Sequence, residues 1–209
     1  MQFFSKMKLR LLLMGCCLTL VVQAQDFVRI PYDTLELQTD AAGFNILDAY
    51  KVEGYEYHIR SKDIDDSTSY VLRMMVYDEK GELVFRSPAL RESYVHRLTF
   101  YKSPRFPHKT IILGFNRINH SLGSDIYLLE DGKIRYLGLF DAGTYADGDI
   151  AWDIANYIDI QSDGKQFVFQ VNYNQLMFNP GGEREKVLSR NQLKYSYRDG
   201  VWLEEVLHE

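Results

Sequence analysis

The chain has 209 residues, of which 46% are hydrophobic and 14% aromatic, and its formal net charge is −5. This composition supplies a sizeable apolar core and therefore excludes an intrinsically disordered protein. The acidic balance also excludes a chain that binds nucleic acid through its overall charge.

Residues 1–24 have the layout of a secretory signal peptide. Three basic side chains in the first ten residues precede an uncharged run over residues 11–22, and Ala24 places a small residue at the cleavage position. Twelve apolar residues are too few to cross a bilayer of ~30 Å. We therefore expect a mature chain that begins at Gln25 and is periplasmic or secreted.

Removal of this leader changes the charge and the cysteine content. The loss of three basic residues leaves 21 Lys and Arg against 29 acids, a balance of −8. Cys16 and Cys17 leave with the leader, which excludes a disulfide framework, a cysteine-ligated zinc site and a thiol nucleophile. An alternative is a lipoprotein anchored at Cys16, because residues 13–16 loosely resemble a lipobox, although only five apolar residues would then precede the cut.

The mature chain, residues 25–209, has the length of a single domain. Its apolar residues recur at every second position, which is the period of a β-strand. Segments with this alternation are residues 70–78, 94–101, 109–115, 165–172 and 193–198. Residues 126–129 are instead apolar on both faces, as in a central strand.

Four dipeptides that end in glycine lie between strand-like segments. They are Lys80-Gly81, Asp131-Gly132, Asp163-Gly164 and Asp199-Gly200. Two-residue hairpin turns need positive φ, which Gly and Asp adopt at low cost, so the sequence predicts four hairpins and about eight strands. The expected fold is all-β, a single antiparallel β-sandwich or small barrel built of hairpins.

Helical signals are few, and we expect at most one or two short helices. Ser87 and Pro88 form a suitable N-cap and first-turn pair for a helix within residues 87–93. A second short helix is predicted at residues 183–190, after a Pro-Gly-Gly sequence.

Residues 140–153 concentrate acidic, glycine and aromatic residues. Asp147 and Asp149 flank a glycine and could direct two carboxylates at one Ca²⁺ ion, although the spacing does not fit an EF-hand. Tyr145 and Trp152 could stack on sugar rings. The alternative is a polar connection between strands, and no other cofactor or metal is expected.

Evidence for catalysis is weak. Residues 117–125 contain the residue types of a Ser-His-Asp site, but such triads are defined by spatial geometry and seldom form between sequence neighbours. The five histidines are scattered and match no metal-binding spacing. A hydrolase whose two carboxylates are distant in sequence stays open.

Charge is segregated along the chain. Residues 86–117 carry seven basic residues and one acid, whereas residues 26–85 and 125–163 each have a balance of −7. Such a basic segment could meet an anionic partner. Alternatively, it pairs with the acidic segments across neighbouring strands.

Within the basic segment, residues 103–109 form a proline-stiffened loop. It carries Arg105, Phe106, His108 and Lys109, which we predict to be binding residues because rigid loops that present aromatic and Arg side chains are typical of binding hot spots. The alternative is that Phe106 folds back onto the core.

These features predict an exported, non-enzymatic binding protein. A protein-binding inhibitor or immunity-type module with a protein partner in the cell envelope fits the charge segregation best. The 15 tyrosines make a glycan-binding accessory protein the first alternative, and an envelope hydrolase with an unrecognised carboxylate site is the second. We expect no nucleic-acid partner and no transmembrane segment in the mature chain.

Overall fold

The computed structural model describes most of the chain that follows the predicted leader. The described residues are 26–39, 45–62, 71–88, 90, 95–117, 121–146, 149–151, 154–190 and 192–207. The leader at residues 1–24 lies outside them, as does much of the helix predicted at residues 87–93.

The described residues form eighteen strands and one turn of 3-10 helix. The strands are β1 (Val28–Ile30), β2 (Asp33–Thr34), β3 (Asn45–Val52), β4 (Tyr55–Lys62), β5 (Val71–Tyr77), β6 (Leu83–Arg86), β7 (Val95–Ser103), β8 (Phe106–Arg117), β9 (Ser121–Glu130), β10 (Lys133–Phe140), β11 (Ala142–Ala146), β12 (Asp149–Ala151), β13 (Ile158–Ser162), β14 (Gln166–Val171), β15 (Gln175–Phe178), β16 (Lys186–Ser189), β17 (Leu193–Arg198) and β18 (Val201–Val206). The 3-10 turn spans Ile154–Asn156.

The strands assemble into four antiparallel sheets. The N-terminal sheet has the order β2-β3-β4-β5-β6, and the central sheet has the order β1-β7-β8-β9-β10. The small sheet has the order β12-β11-β15-β16, and the C-terminal sheet has the order β13-β14-β17-β18. The N-terminal sheet is thus an up-and-down meander, whereas the C-terminal sheet consists of two hairpins, β13-β14 and β17-β18, between which the chain passes through β15 and β16 of the small sheet.

The central sheet is buried on both faces. On β9, Ile126 and Leu128 pack into one core with residues of the small and C-terminal sheets. The alternate residues Tyr127 and Leu129 pack into a second core with the N-terminal sheet. The strand predicted at residues 126–129 is therefore central, as its two apolar faces indicate, and the described sheets stack in three layers.

The architecture is a layered β-sandwich. Each sheet begins and ends in an edge strand, and no pairing between the described strands closes a sheet into a barrel. The all-β prediction is confirmed, and of its two versions the sandwich is the one that the structure supports.

All four predicted glycine turns join paired strands. Asp131-Gly132, with φ angles of 49° and 75°, connects β9 to β10, and Asp199-Gly200 connects β17 to β18 in the same left-handed conformation. Glu53-Gly54 makes a further turn of this kind that was not predicted. The estimate of eight strands was too low because other connections, such as Pro104-Arg105, lack the Asp-Gly signal.

The helix predicted at residues 183–190 does not form. Lys186–Ser189 is instead β16, which pairs with β15 and buries Leu188 in the core. Helix propensity is a local preference, and here strand pairing within the small sheet and the burial of Leu188 outweigh it.

Candidate functional site

The loop predicted at residues 103–109 is mostly strand. β7 extends to Ser103 and β8 begins at Phe106, so Pro104 and Arg105 alone form the turn. The Arg105 backbone N–H donates to the Ser103 hydroxyl at 3.1 Å, which fixes the turn locally.

Phe106 packs against the core between the central and C-terminal sheets. Its ring stacks on Phe27, with centroids 6.1 Å apart and planes 16° apart. The exposed guanidinium of Arg105 lies 5.2 Å from the centre of the Phe106 ring. Phe106 thus folds back onto the core, which was the alternative to a binding role, and the Arg105 guanidinium lies over the other side of its ring.

Lys109 is buried and has internal partners, whereas His108 is exposed. The Lys109 ammonium lies 2.9 Å from a carboxylate oxygen of Glu130 and donates to the Gly164 carbonyl at 2.8 Å. Burial disfavours the charged form of Glu130 and so raises its pKa. The hydrogen bond and charge of Lys109, and to a smaller extent the charge of Arg135, have the larger effect, and the pKa of Glu130 therefore lies below its ordinary value. A binding role for Lys109 would require it to leave these partners.

Four of the seven basic residues in the 86–117 segment have acidic neighbours from other segments. Three form ion pairs, Lys102 with Glu53, Arg105 with Asp26 and Lys109 with Glu130, and Arg97 interacts electrostatically with Asp48. The segregation of charge along the sequence is therefore largely compensated in space, which weakens the case for a free basic patch.

The acidic segment at residues 140–153 is only partly described. Tyr145 lies on β11 and Asp149 on β12, whereas Asp147 and Trp152 lie outside the described residues. The Ca²⁺ site predicted at the two aspartates stays a prediction, as does sugar stacking on Tyr145 and Trp152.

A cleft of about 530 Å³ lies beside the start of β13, and we call it the Tyr157 cleft. Residues from β1, β7, the 3-10 turn and β13 line it, together with the residue that follows β14. They include Arg29, Tyr101, Asn156, Tyr157, Asp159 and Asn172. The Tyr101 hydroxyl donates to the Ala155 carbonyl at 2.6 Å and so ties the 3-10 turn to the central sheet.

The exposed aromatic residue of this cleft is Tyr157, which packs against Tyr173. The rings of Tyr157 and Tyr173 have centroids 4.7 Å apart and planes inclined at 58°. The Asn172 backbone N–H donates to the Tyr157 carbonyl at 2.8 Å, which holds the two segments together. Tyr157 is 39% exposed, so an apolar ring edge and a phenol reach solvent at one place.

The polar part of the cleft has unused hydrogen-bonding capacity. Asp159 Oδ2 accepts from Gln161 Nε2 at 3.3 Å, while Asp159 Oδ1 is shielded and has no hydrogen-bond partner among the described residues. Asp159 itself lines the cleft and is partly exposed. Arg29 donates to Asn156 Oδ1 at 2.7 Å, which uses one of its five N–H donors.

A second cleft of about 260 Å³ lies at the other end of β13, and we call it the Arg105 cleft. Its lining includes Asp26, Arg105, Gln161, Asp163, Gln166 and Val168. Asp26 pairs with Arg105 and accepts a hydrogen bond from the Ser162 backbone N–H at 2.7 Å. Of the eight predicted site residues, Arg105 lines this second cleft.

The sequence carried a signal for β13 that the prediction missed. Ile158 and Ile160 are buried, whereas Asp159 and Gln161 alternate with them on the outward face. This period-two pattern ends directly before Asp163-Gly164, a predicted turn. The association of β13 with Arg29 and Arg105 has no comparable local signal.

A buried polar row crosses the central sheet, away from both clefts. His96 Nδ1 hydrogen-bonds with Asn116 Oδ1, Asn116 donates to Asp125 at 2.7 Å, and the Tyr136 hydroxyl donates to Asp125 at 3.0 Å. Burial lowers the pKa of His96. Asp125, predicted beside His120 and serines, thus has Asn116 and Tyr136 as partners, while His120 lies outside the described residues.

No protein-family model matches this chain, and no curated protein and no solved structure matches it significantly. Across the described ranges, no helix is long and apolar enough to cross a membrane.

Proposed function

We propose that the protein is a non-enzymatic binding protein that acts outside the cytoplasm and holds a saccharide in the Tyr157 cleft. The observation that carries this proposal is the unpaired, shielded carboxylate oxygen of Asp159 beside the Tyr157–Tyr173 pair. Buried acceptors are normally hydrogen-bonded, so an unpaired one on a residue that lines a cleft favours a ligand that brings a hydrogen-bond donor.

The composition of the cleft suits sugar rings. A saccharide presents hydroxyls that donate and accept hydrogen bonds and C–H faces that pack on aromatic rings. Asp159 supplies an acceptor, Arg29 supplies donors, and the amides of Asn156 and Asn172 supply both. The exposed Tyr157 supplies the aromatic surface.

Charge compensation favours this alternative over the charged protein partner that the sequence favoured. That expectation depended on a basic segment free to meet an acidic surface. The internal pairs of Lys102, Arg105 and Lys109 remove much of that free charge. The Tyr157 cleft does not depend on net charge.

A glycan array tests the proposal. The mature protein is expected to bind at least one class of linear glycan, and Tyr157→Ala is expected to lower that binding at least tenfold. Tyr136→Ala is the matched control, because Tyr136 is similarly exposed, at 44%, but does not line the cleft. Melting temperatures establish that both variants are folded.

Absence of binding to every glycan, or an equal loss of binding in the Tyr157→Ala and Tyr136→Ala variants, would refute the proposal.

The hydrolase alternative is checked with the same glycans by following the release of reducing ends. Release that Asp159→Asn abolishes would replace the binding role with a catalytic one.

A protein partner is the second candidate, and the edge strand β18 favours it. Val201 and Leu203 on this strand are about half exposed, and among the described residues no strand pairs with the outer edge of β18. Unpaired edges with apolar side chains can accept an added strand. Here an envelope pull-down is expected to recover a partner that Leu203→Glu loses and Tyr157→Ala keeps.

A further inference from the structure

The Tyr157 and Arg105 clefts lie on one continuous strip of β13. Asp159 lines the first cleft and Gln161 the second. Because side chains at i and i+2 of a strand point to the same face, these two lie side by side on the outward surface. The hydrogen bond from Gln161 Nε2 to Asp159 Oδ2, at 3.3 Å, joins the two clefts directly.

The neighbouring strand continues this surface. In the pairing of β13 with β14, Gln170 lies opposite Asp159 and Val168 lies opposite Gln161. Both β14 residues are half-buried, so they form a floor rather than a projecting wall. The floor thus combines amides, which donate and accept, with one apolar side chain.

The N-terminal segment lies along the other side of this strip. The Phe27 backbone N–H donates to the Ile160 carbonyl at 3.2 Å, which holds residues 26–30 against β13. Asp26 lines the Arg105 cleft and Arg29 lines the Tyr157 cleft, one on each side of the buried Phe27. One short segment therefore contributes to both clefts.

The strip is longer than a small sugar. From Tyr157 to Asp163 the chain advances six residues, or about 20 Å at the rise of a β-strand. A monosaccharide or disaccharide would fill one cleft and leave the other empty. Several sugar rings in a row would span both.

From these observations we infer that the ligand is a linear oligosaccharide chain that runs along β13, with one end at Tyr157 and the other at Arg105. This inference rests on the proposed saccharide binding and adds the chain length and the role of Arg105. The Tyr157 cleft provides the stacking position. Arg105, whose side chain is 63% exposed, provides hydrogen-bond donors at the far end.

Titration calorimetry with defined oligosaccharides tests the inference. The probes are linear β-1,4-glucan, β-1,4-xylan, β-1,4-mannan, β-1,4-linked N-acetylglucosamine and α-1,4-glucan oligomers of two to six rings. For the series that binds, the affinity is expected to rise at least tenfold from two rings to five and then to level off. Arg105→Ala is expected to abolish most of this gain and to leave the affinity for the dimer unchanged.

The matched control is Arg135→Ala, which removes a similarly exposed arginine from β10, outside both clefts, and should keep the full gain. Equal affinity for all lengths, or a gain that Arg105→Ala leaves intact, would overturn the extended groove while saccharide binding at Tyr157 stands. Failure of every oligomer to bind would overturn both proposals.

Discussion

The ring of Phe106, at the start of β8, stacks on the ring of Phe27 in the N-terminal segment, with centroids 6.1 Å apart. Phe27 is completely buried, and Phe106 packs against the same core. Phe106→Ala is therefore expected to destabilise the protein by about 2–3 kcal/mol, since the ring is partly rather than fully buried. Chemical denaturation measures this change.

Arg105→Ala is the control for Phe106. Its ion pair with Asp26 is solvent-exposed on the arginine side, so its loss should cost less than about 1 kcal/mol. Similar stability losses for the two variants would contradict the division between a packing role for Phe106 and a surface role for Arg105.

His96 should make stability depend on pH in the weakly acidic range. Burial holds the pKa of the folded state below the ordinary 6.5, and the opposing effects of Asp125 and Asn116 are smaller. The unfolded chain therefore binds the proton more readily, so this contribution to stability is full above pH 6.5 and falls as the pH drops below it. Urea unfolding at pH 7.5 and pH 5.5 should show the loss.

The comparison with His96→Gln isolates this effect. The variant cannot gain a charge at residue 96, so its free energy of unfolding should change less between the two pH values. The same pH dependence in both proteins would assign the titration to another group.

The Lys109–Glu130 pair should contribute more to stability than the exposed pair that Glu130 makes with Arg135. Lys109→Met leaves Glu130 without its buried partner and is expected to cost about 2–3 kcal/mol, whereas Arg135→Ala should cost less than about 1 kcal/mol.

Because the pKa of Glu130 in the folded state is depressed, the contribution of the Lys109–Glu130 pair to stability is present above the ordinary pKa of 4.5 and is lost as the pH falls through the folded-state pKa. A double-mutant cycle with Glu130→Gln, measured at pH 7, quantifies the coupling, and a cycle energy near zero would contradict this assignment.

Gly138 is required by the close approach of Trp202. A Cβ atom at residue 138 would lie 2.4 Å from the indole, which stacks on Tyr195 and donates to the Leu139 carbonyl at 3.1 Å. Gly138→Ala is therefore expected to destabilise the protein by about 1–3 kcal/mol. The shift of Trp202 should also change the near-ultraviolet circular dichroism, and an unchanged spectrum and melting temperature would refute the contact.

The hairpin turns and the burial pattern could be predicted because their causes are local. Asp131-Gly132 adopts two left-handed conformations in succession, a demand that only a few residue types meet cheaply. Along β14, Phe167, Phe169 and Val171 are buried, as alternation requires. At β16 the helix prediction was wrong. Pairing with β15 and burial of Leu188 in the core determine this segment, and local helix propensity does not take such long-range contacts into account.

The sequence by itself therefore determined the all-β class, the four glycine turns and the alternating burial of the strands it predicted, since turn conformation and side-chain alternation depend on a few adjacent residues. The tertiary structure decided which charges meet and where the clefts lie. Arg105 meets Asp26 across 79 positions of the chain, and the Tyr157 cleft joins Arg29 to residues 156–172. These contacts arise when the sheets stack, because stacking brings together segments that are distant in the sequence. Basic and acidic residues that are segregated along the chain thereby become neighbours. The proposed binding groove likewise lies along β13, a strand for which the sequence predicted no role.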